Sequence, residues 1–281
     1  MKSISINSTA KINLTFDILG KLDDGYHKIE TLLHEISISD EVILEEIKED
    51  KIIVECSIME LSGEKNIAYK TAKLLKDKLG IKKGVRIKIK KNIPVGAGLG
   101  GGSSNAANIL KGLNELWNLN LTNLMLMSFA QELGTDVPFF IVGGTAFGYN
   151  HGEMLERVNL NEKFKLILIK PEISVETKSA YSLADAHAIK LEKSNSTQKA
   201  LKAIAEKKPI INLLHNDFEE VIFSKYPDIK EIKNTLLDNG ASASLMTGSG
   251  SCVYGIFPDD KIRMKAYEKL KSRYPVVLLA D

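Results

Sequence analysis

The sequence predicts an α+β protein of two domains. Three observations carry that expectation. A chain of 281 residues holds two modest domains or one large one. Its first half opens on strands and closes on helices, with a glycine-rich run at the changeover. Its second half approximates the order βαββαβ, a ferredoxin-like pattern. Gly152, Asn159 and Asn161 interrupt the regular patterning, which puts the boundary near residues 155–162 and gives domains of 1–158 and 159–281.

Ile12, Leu14, Phe16 and Ile18 alternate with Lys11, Asn13, Thr15 and Asp17, the period of a strand with one apolar face. Asp23-Asp24-Gly25 is turn chemistry. Residues 29–36, 41–47 and 51–56 read as further strands, and 66–79 as a helix that Gly80 ends. A strand over 85–91 precedes the glycine run, its apolar residues on alternate positions only. A helix follows the run, and a second spans 122–133 up to Gly134. Beyond the boundary, 164–169 is a strand, and helices are expected at 177–188, 196–207, 216–225 and 228–239. Residues 241–246 and 252–257 form a hairpin over Thr247-Gly248-Ser249-Gly250-Ser251, then a helix over 261–273 and a last strand over 276–280. There is no internal repeat and no low-complexity tract.

Composition excludes several classes. With 44% hydrophobic and 26% charged residues the chain is an ordinary globular protein, and a net charge of +2 gives no electrostatic case for nucleic acid or a membrane surface. Cys56 and Cys252 lie far apart without CxxC spacing, which fits reduced thiols and no zinc site. No run approaches the ~20 apolar residues of a membrane span, and the amino terminus lacks an apolar signal core, so a cytoplasmic location is expected. No obligate protein partner is evident.

The run Ile93-Pro94-Val95-Gly96-Ala97-Gly98-Leu99-Gly100-Gly101-Gly102-Ser103-Ser104-Asn105 carries the chemistry. Five glycines in seven positions bury little and lose the most backbone entropy on folding, so they mark a close approach of bare backbone. Ala106, Ile109, Leu110, Leu113, Leu116 and Trp117 then recur at helical spacing, with Ser103 or Ser104 where an N-cap belongs. A glycine loop feeding amides into a helix N-terminus is a phosphate cradle. The Walker pattern fails because Gly102 stands where its lysine belongs. GxGxxG matches at Gly96, Gly98 and Gly101, but the preceding strand is half exposed, unlike a doubly buried Rossmann strand. A flexible linker is the bland alternative, and Pro94 and the apolar helix bracket the run too tightly for it.

Residues 94–107 resemble the central motif of the GHMP small-molecule kinases. Three further blocks in family order extend the resemblance over the chain. They are Ala10-Lys11-Ile12-Asn13-Leu14 with Gly20-Lys21, Asp24-Gly25-Tyr26-His27 and Thr31-Leu32; Leu133-Gly134-Thr135-Asp136-Val137-Pro138-Phe139-Phe140; and Met246-Thr247-Gly248-Ser249-Gly250-Ser251-Cys252-Val253. The resemblance implies a ribosomal-protein-S5-like N-terminal domain and a ferredoxin-like C-terminal domain with the site between them. It implies ATP and Mg²⁺, and transfer of a phosphoryl group to an alcohol, here of a cytidine diphosphate-linked sugar alcohol.

The resemblance also assigns roles. Lys11 and Asp136 flank the substrate hydroxyl as the catalytic pair. Without it, Lys11 is a strand-face lysine and Asp136 an N-cap for a short turn over 138–141. Pro94, Gly96, Ala97, Gly98, Leu99, Gly100, Gly101, Gly102, Ser103 and Ser104 bind the triphosphate. Asn66, Lys91 and Asn105 lie near the nucleotide, although Asn66 serves equally as the N-cap of the 66–79 helix and Lys91 as solvated charge. Asn13, Tyr26, His27, Thr177, Tyr181, Gly248 and Ser249 are assigned to the substrate. Cytosine is expected to stack on aromatic rings while the histidine reads its edge; otherwise Tyr26 and His27 are loop surface and Tyr181 packs its helix. Leu33 replaces an aromatic, making part of that sandwich aliphatic. Ser104 is the candidate metal ligand by analogy with the P-loop serine, and no second carboxylate for a metal is obvious. Another small-alcohol kinase of the family lacks a use for the aromatic residues, and a silent nucleotide sensor or RNA-binding module has no need of Lys11 and Asp136.

Overall fold

The computed structural model describes residues 2–186 and 195–281. The chain divides into two compact units. One comprises Met1–Ala10, Ile38–Ile93 and Gly100–Gly143; the other Lys11–Ser37, Pro94–Leu99 and Gly144–Asp281. Two long strands, β1 (Ser3–Lys21) and β2 (His27–Ile47), contribute residues to both. The expected break between strands at 29–36 and 41–47 does not occur: β2 runs through it.

In the first unit, Glu41–Ile47 of β2 pairs antiparallel with β4 (Gly84–Lys90), which pairs parallel with β3 (Ile52–Cys56). Val85, Ile87 and Ile89 are buried while Arg86, Lys88 and Lys90 are not, the half-exposed strand expected. Helix α1 (Ile67–Leu79) is capped by the Asn66 carboxamide, which accepts from Ala68 N at 2.8 Å, and ends at Gly80 in the left-handed conformation. Helix α2 (Gly101–Leu116) packs on α1, α3 (Asn123–Leu133) and α4 (Val137–Val142). Its buried stripe Ala106, Ile109, Leu110, Leu113 and Leu116 is the one the spacing predicts.

In the second unit, residues 29–34 of β2 pair with β5 (Thr145–Asn150), which pairs with β6 (Met154–Arg157). Neither strand was expected, because Gly144, Gly148 and Gly152 punctuate the stretch like a loop. Helix α7 (Phe218–Lys225) starts two residues later than its pattern, because the two-residue strand β8 (His215–Asn216) pairs parallel with Thr15 and Phe16. A second sheet takes β11 (Val276–Ala280), β7 (Lys165–Lys170), β10 (Val253–Phe257) and β9 (Ala243–Met246) in that order, all antiparallel. Helices α8 (Pro227–Asp238) and α9 (Asp260–Leu270) pack on it, giving the ferredoxin-like arrangement. Ile167, Ile169, Val253, Phe257, Leu236, Ile232 and Phe218 form its core. Helix α5 spans Thr177–Ala186, so the last two positions of the expected 177–188 helix lie outside the described residues. Helix α6 is Ser196–Ala205. Ser37 N donates to Asp281 O at 3.0 Å, and Asp281 N donates to Ser37 Oγ at 3.0 Å.

The polar face of β1 is not surface. Lys11, Asn13, Thr15 and Asp17 are each at most 4% exposed. Burial of such groups requires partners, and they come from far along the chain. Thr15 Oγ1 lies 2.8 Å from Thr197 Oγ1, and the Asp17 carboxylate accepts from Thr197 N at 2.7 Å, capping α6. Among the described residues no helix is long and apolar enough to cross a membrane.

Candidate active site

The glycine run is divided between the units. In the second unit, Lys11 N donates to Leu99 O at 3.0 Å, tying the run to β1. Gly98 has φ +75°, and a Cβ there would lie 2.5 Å from Thr247 O. Only glycine admits that approach. Ala97 and Leu99 are buried.

In the first unit, the N-cap of α2 is Gly100, left-handed at φ 69°, with no side-chain cap. The expected serine cap is therefore corrected. The left-handed glycine turns the chain three residues before the first hydroxyl, so Ser103 and Ser104 lie within the first turn. Ser104 N donates to Gly100 O at 2.8 Å, and its Oγ sits fully buried 2.8 Å from Ser8 Oγ. An uncapped N-terminus leaves its first amides as an anion-binding group. Lys91 pairs with buried Asp40, whose Oδ1 also accepts from Asn92 N and Ile93 N, both at 2.8 Å. A Cβ on Gly101 would lie 3.1 Å from Lys91 Nζ, so this ammonium stands beside the helix start rather than in bulk solvent. Asn105 is 4% exposed and its Oδ1 has no hydrogen-bond partner among the described residues.

Lys11 Nζ donates to Asn13 Oδ1 at 2.8 Å. Thr247 Oγ1 donates to the same oxygen at 3.2 Å and accepts from Asn13 N at 3.0 Å. Asn13 Nδ2 donates to Thr31 Oγ1 at 2.8 Å, and Thr31 Oγ1 donates to Thr15 O at 2.7 Å. Tyr254 OH donates to Asn13 O at 2.9 Å, and burial holds that phenol well above its usual range, so it remains a donor. A Cβ on Gly248 would lie 3.4 Å from Asn13 Oδ1 and 3.6 Å from Lys11 Nζ. The structure thus brings Lys11, Asn13, Thr247 and Gly248 into one cluster. Asn216 Nδ2 fixes the Gly248 turn, donating to Met246 O at 2.7 Å and Gly248 O at 2.8 Å.

Asp136 occupies the N-cap position of α4, but its carboxylate does not cap that helix. Asn66 caps α1 through Oδ1, and its Nδ2 donates to Leu61 O at 2.6 Å. Tyr26 is 65% exposed, after a turn at Asp23-Asp24-Gly25. His27 stacks on Tyr181, and Thr177 Oγ1 lies 3.1 Å from Ser249 Oγ. Leu33 is 3% exposed within β2 and belongs to the core. Cys252 is buried and its thiol pushed up to about 12, an unreactive free thiol, and Cys56 is also unpaired.

Sequence reasoning missed Asp40, Asn216, Ser8 and Asp185. A carboxylate inside the strand-like run Ile36-Ser37-Ile38-Ser39-Asp40 was the available signal for Asp40. Asp185 stands one turn beyond Tyr181 on α5, but its hydrogen-bond partners Lys21 and His27 are remote in sequence, so nothing local marked it. Asn216 and Ser8 gave none.

Two family descriptions match this chain: GHMP kinases N terminal domain over residues 66–144 and GHMP kinases C terminal over 197–276. A 4-diphosphocytidyl-2-C-methyl-D-erythritol kinase of Caldicellulosiruptor bescii is 42% identical over 279 residues, 98% of this chain and 97% of that protein. A protein of the same name from Acetivibrio thermocellus is 43% identical, covering 97% and 96%. A crystal structure of 4-(cytidine 5'-diphospho)-2C-methyl-D-erythritol kinase superposes with a TM-score of 0.84 at 29% identity, covering 99% of this chain and 98% of that one. Matches of this extent, over a glycine loop that opens a helix and a lysine cluster on β1, make the chain a kinase that belongs to the GHMP family.

Proposed function

We propose that this kinase transfers the γ-phosphoryl group of ATP to the 2-hydroxyl of 4-diphosphocytidyl-2-C-methyl-D-erythritol, a step of the non-mevalonate route to isoprenoid precursors. The observation that carries the choice of substrate is the group Tyr26, His27 and Tyr181, which suits a base; mevalonate and homoserine have none. Phosphoryl transfer asks mainly for positioning and charge. The uncapped amides at the start of α2 hold phosphate oxygens, with Lys91 beside them. Mg²⁺ arrives as the MgATP substrate. The hydroxyl oxygen attacks the γ-phosphorus in line, the bond to the β-phosphate oxygen breaks, and the hydroxyl proton passes to Asp136. Lys11 supplies positive charge to the transferring group from a network that allows it little freedom. The reading is of a cytoplasmic enzyme acting on small molecules.

Incubation with MgATP and the diphosphocytidyl substrate, followed by ³¹P spectroscopy, tests this: a new phosphomonoester on the 2-position is expected. ADP release only with mevalonate or homoserine would refute the substrate. Asp136→Asn is expected to lower kcat by about 10²-fold or more; near-normal turnover would remove Asp136 from the mechanism.

A further inference from the structure

His27 is held from several sides within the second unit. Its ring stacks on Tyr181, with centroids 4.6 Å and planes 16° apart, and Tyr181 meets the Phe218 ring edge at 4.9 Å. His27 Nε2 lies 2.6 Å from Asp185 Oδ1, and Lys21 Nζ donates to Asp185 Oδ2 at 2.9 Å. The Lys21 and His27 hydrogen bonds hold the Asp185 carboxyl below the usual carboxylate range, so it is ionised. An ionised carboxylate only accepts, so Nε2 carries the proton. In a neutral imidazole the other nitrogen is then a bare acceptor. Among the described residues, Nδ1 has no hydrogen-bond partner.

We propose that Asp185 is a positioning residue that fixes His27 as the Nε2–H tautomer, making the Nδ1 lone pair the feature that selects cytosine over uracil. This rests on the cytidine diphosphate-linked substrate proposed above. Cytosine carries an exocyclic amine, a donor, where uracil carries a carbonyl oxygen, an acceptor. An accepting Nδ1 gains a hydrogen bond with the first and faces a lone pair with the second. Tyr181 and Asp185, one turn apart on α5, place the stacking ring and the carboxylate on one side of the helix. The Asp185 side chain is 40% exposed, and such a pair adds little to folding stability, so its removal leaves the fold intact.

The test compares the unaltered chain with Asp185→Ala and Asp185→Asn at about pH 8. The substrates are the diphosphocytidyl compound and its uridine counterpart. In Asp185→Ala the cytidine-to-uridine ratio of kcat/KM should fall about tenfold, with the KM for ATP and the kcat on saturating cytidine substrate unchanged. Asp185→Asn, whose carbonyl still accepts from Nε2–H, should restore most of the ratio. ¹⁵N spectra of the His27 ring in the substrate-free protein should show the Nε2–H form in the unaltered chain and the asparagine variant, and a tautomer mixture in the alanine variant. An unchanged ratio in Asp185→Ala overturns the proposal, as does an Nδ1–H tautomer in the unaltered chain. Failure of the unaltered chain to phosphorylate the cytidine substrate at all refutes the substrate and the selectivity together, and the spectra then decide the positioning role alone.

Discussion

The two units hold their parts of the glycine run by opposite means. In the first, the run is anchored by one buried ion pair, Lys91 with Asp40, and by two amides on the same carboxylate. In the second, it is anchored by neutral contacts: an amide on Leu99 O and the Thr247 carbonyl against Gly98. An anchor made of charge fails when one partner is removed. An anchor made of close backbone fails when an atom is added. The contrast separates a requirement for paired charge from a requirement for glycine within a few residues of one run.

The largest expected effect comes from the charged anchor. Asp40→Ala leaves a lysine whose side chain is 7% exposed without its counter-ion, and two amides without their acceptor. A loss of about 3–5 kcal/mol in urea unfolding is expected. A loss below 1 kcal/mol would show the pair to be ordinary surface charge. Next, Gly98→Ala forces a side chain into a left-handed conformation against the Thr247 carbonyl. It should lower kcat/KM by about 10²-fold; an active variant would mean that the hairpin yields there.

A titration sharpens the comparison, since the first unit contains no histidine. In the second, burial pushes His34 down to about 4, with Glu35 opposing, while its Nδ1 lies 2.7 Å from Thr145 Oγ1. The folded state then resists a proton that the unfolded chain takes up below about 6.5. Stability is therefore full above that value and falls as pH drops toward 4, by about 3 kcal/mol at most. His215 has the opposite sign. Its hydrogen bond to Asp217 raises its pKa, so its contribution is full below the unfolded value and is lost as pH rises through the raised one. Unfolding curves across pH should show the acid loss removed in His34→Gln and the alkaline loss removed in His215→Gln. An acid limb unaltered in His34→Gln would assign it to carboxylates instead.

The smallest effect on stability is expected at Gly102, where a Cβ meets nothing nearer than Ile67 Cγ2 at 3.9 Å. Gly102→Ala should leave stability unchanged or raise it by up to about 1 kcal/mol. It should still raise the KM for ATP by about tenfold if phosphate sits on the helix start. An unchanged KM would move the phosphate away from this residue.

Local signals made much of this legible. Asn66 and Gly80 bracket α1, the apolar spacing gives α2, and the hairpin over 247–251 is found as read. What was not legible depends on partners remote in sequence. The polar alternation of β1 reads as a wet face, yet it is dry because Thr197 and Thr247 lie against it. The start of α2 was misplaced because serine is the usual cap and a left-handed glycine replaced it. β5 and β6 were hidden by glycines that their pairing with β2 tolerates. Asp40 and Asp185, each the centre of a small hydrogen-bonded group, became visible only with the partners in place.

Neither unit is a continuous stretch of chain, and Ser37 hydrogen-bonds to Asp281. On the ribosome this imposes a schedule. At about 5–20 residues per second, the strands of the second unit emerge early and wait roughly 10 s or more for the sheet that completes them. During that interval their polar face has no partners and their edges are open, so nascent chains of intermediate length should be the form of this protein that most needs a chaperone.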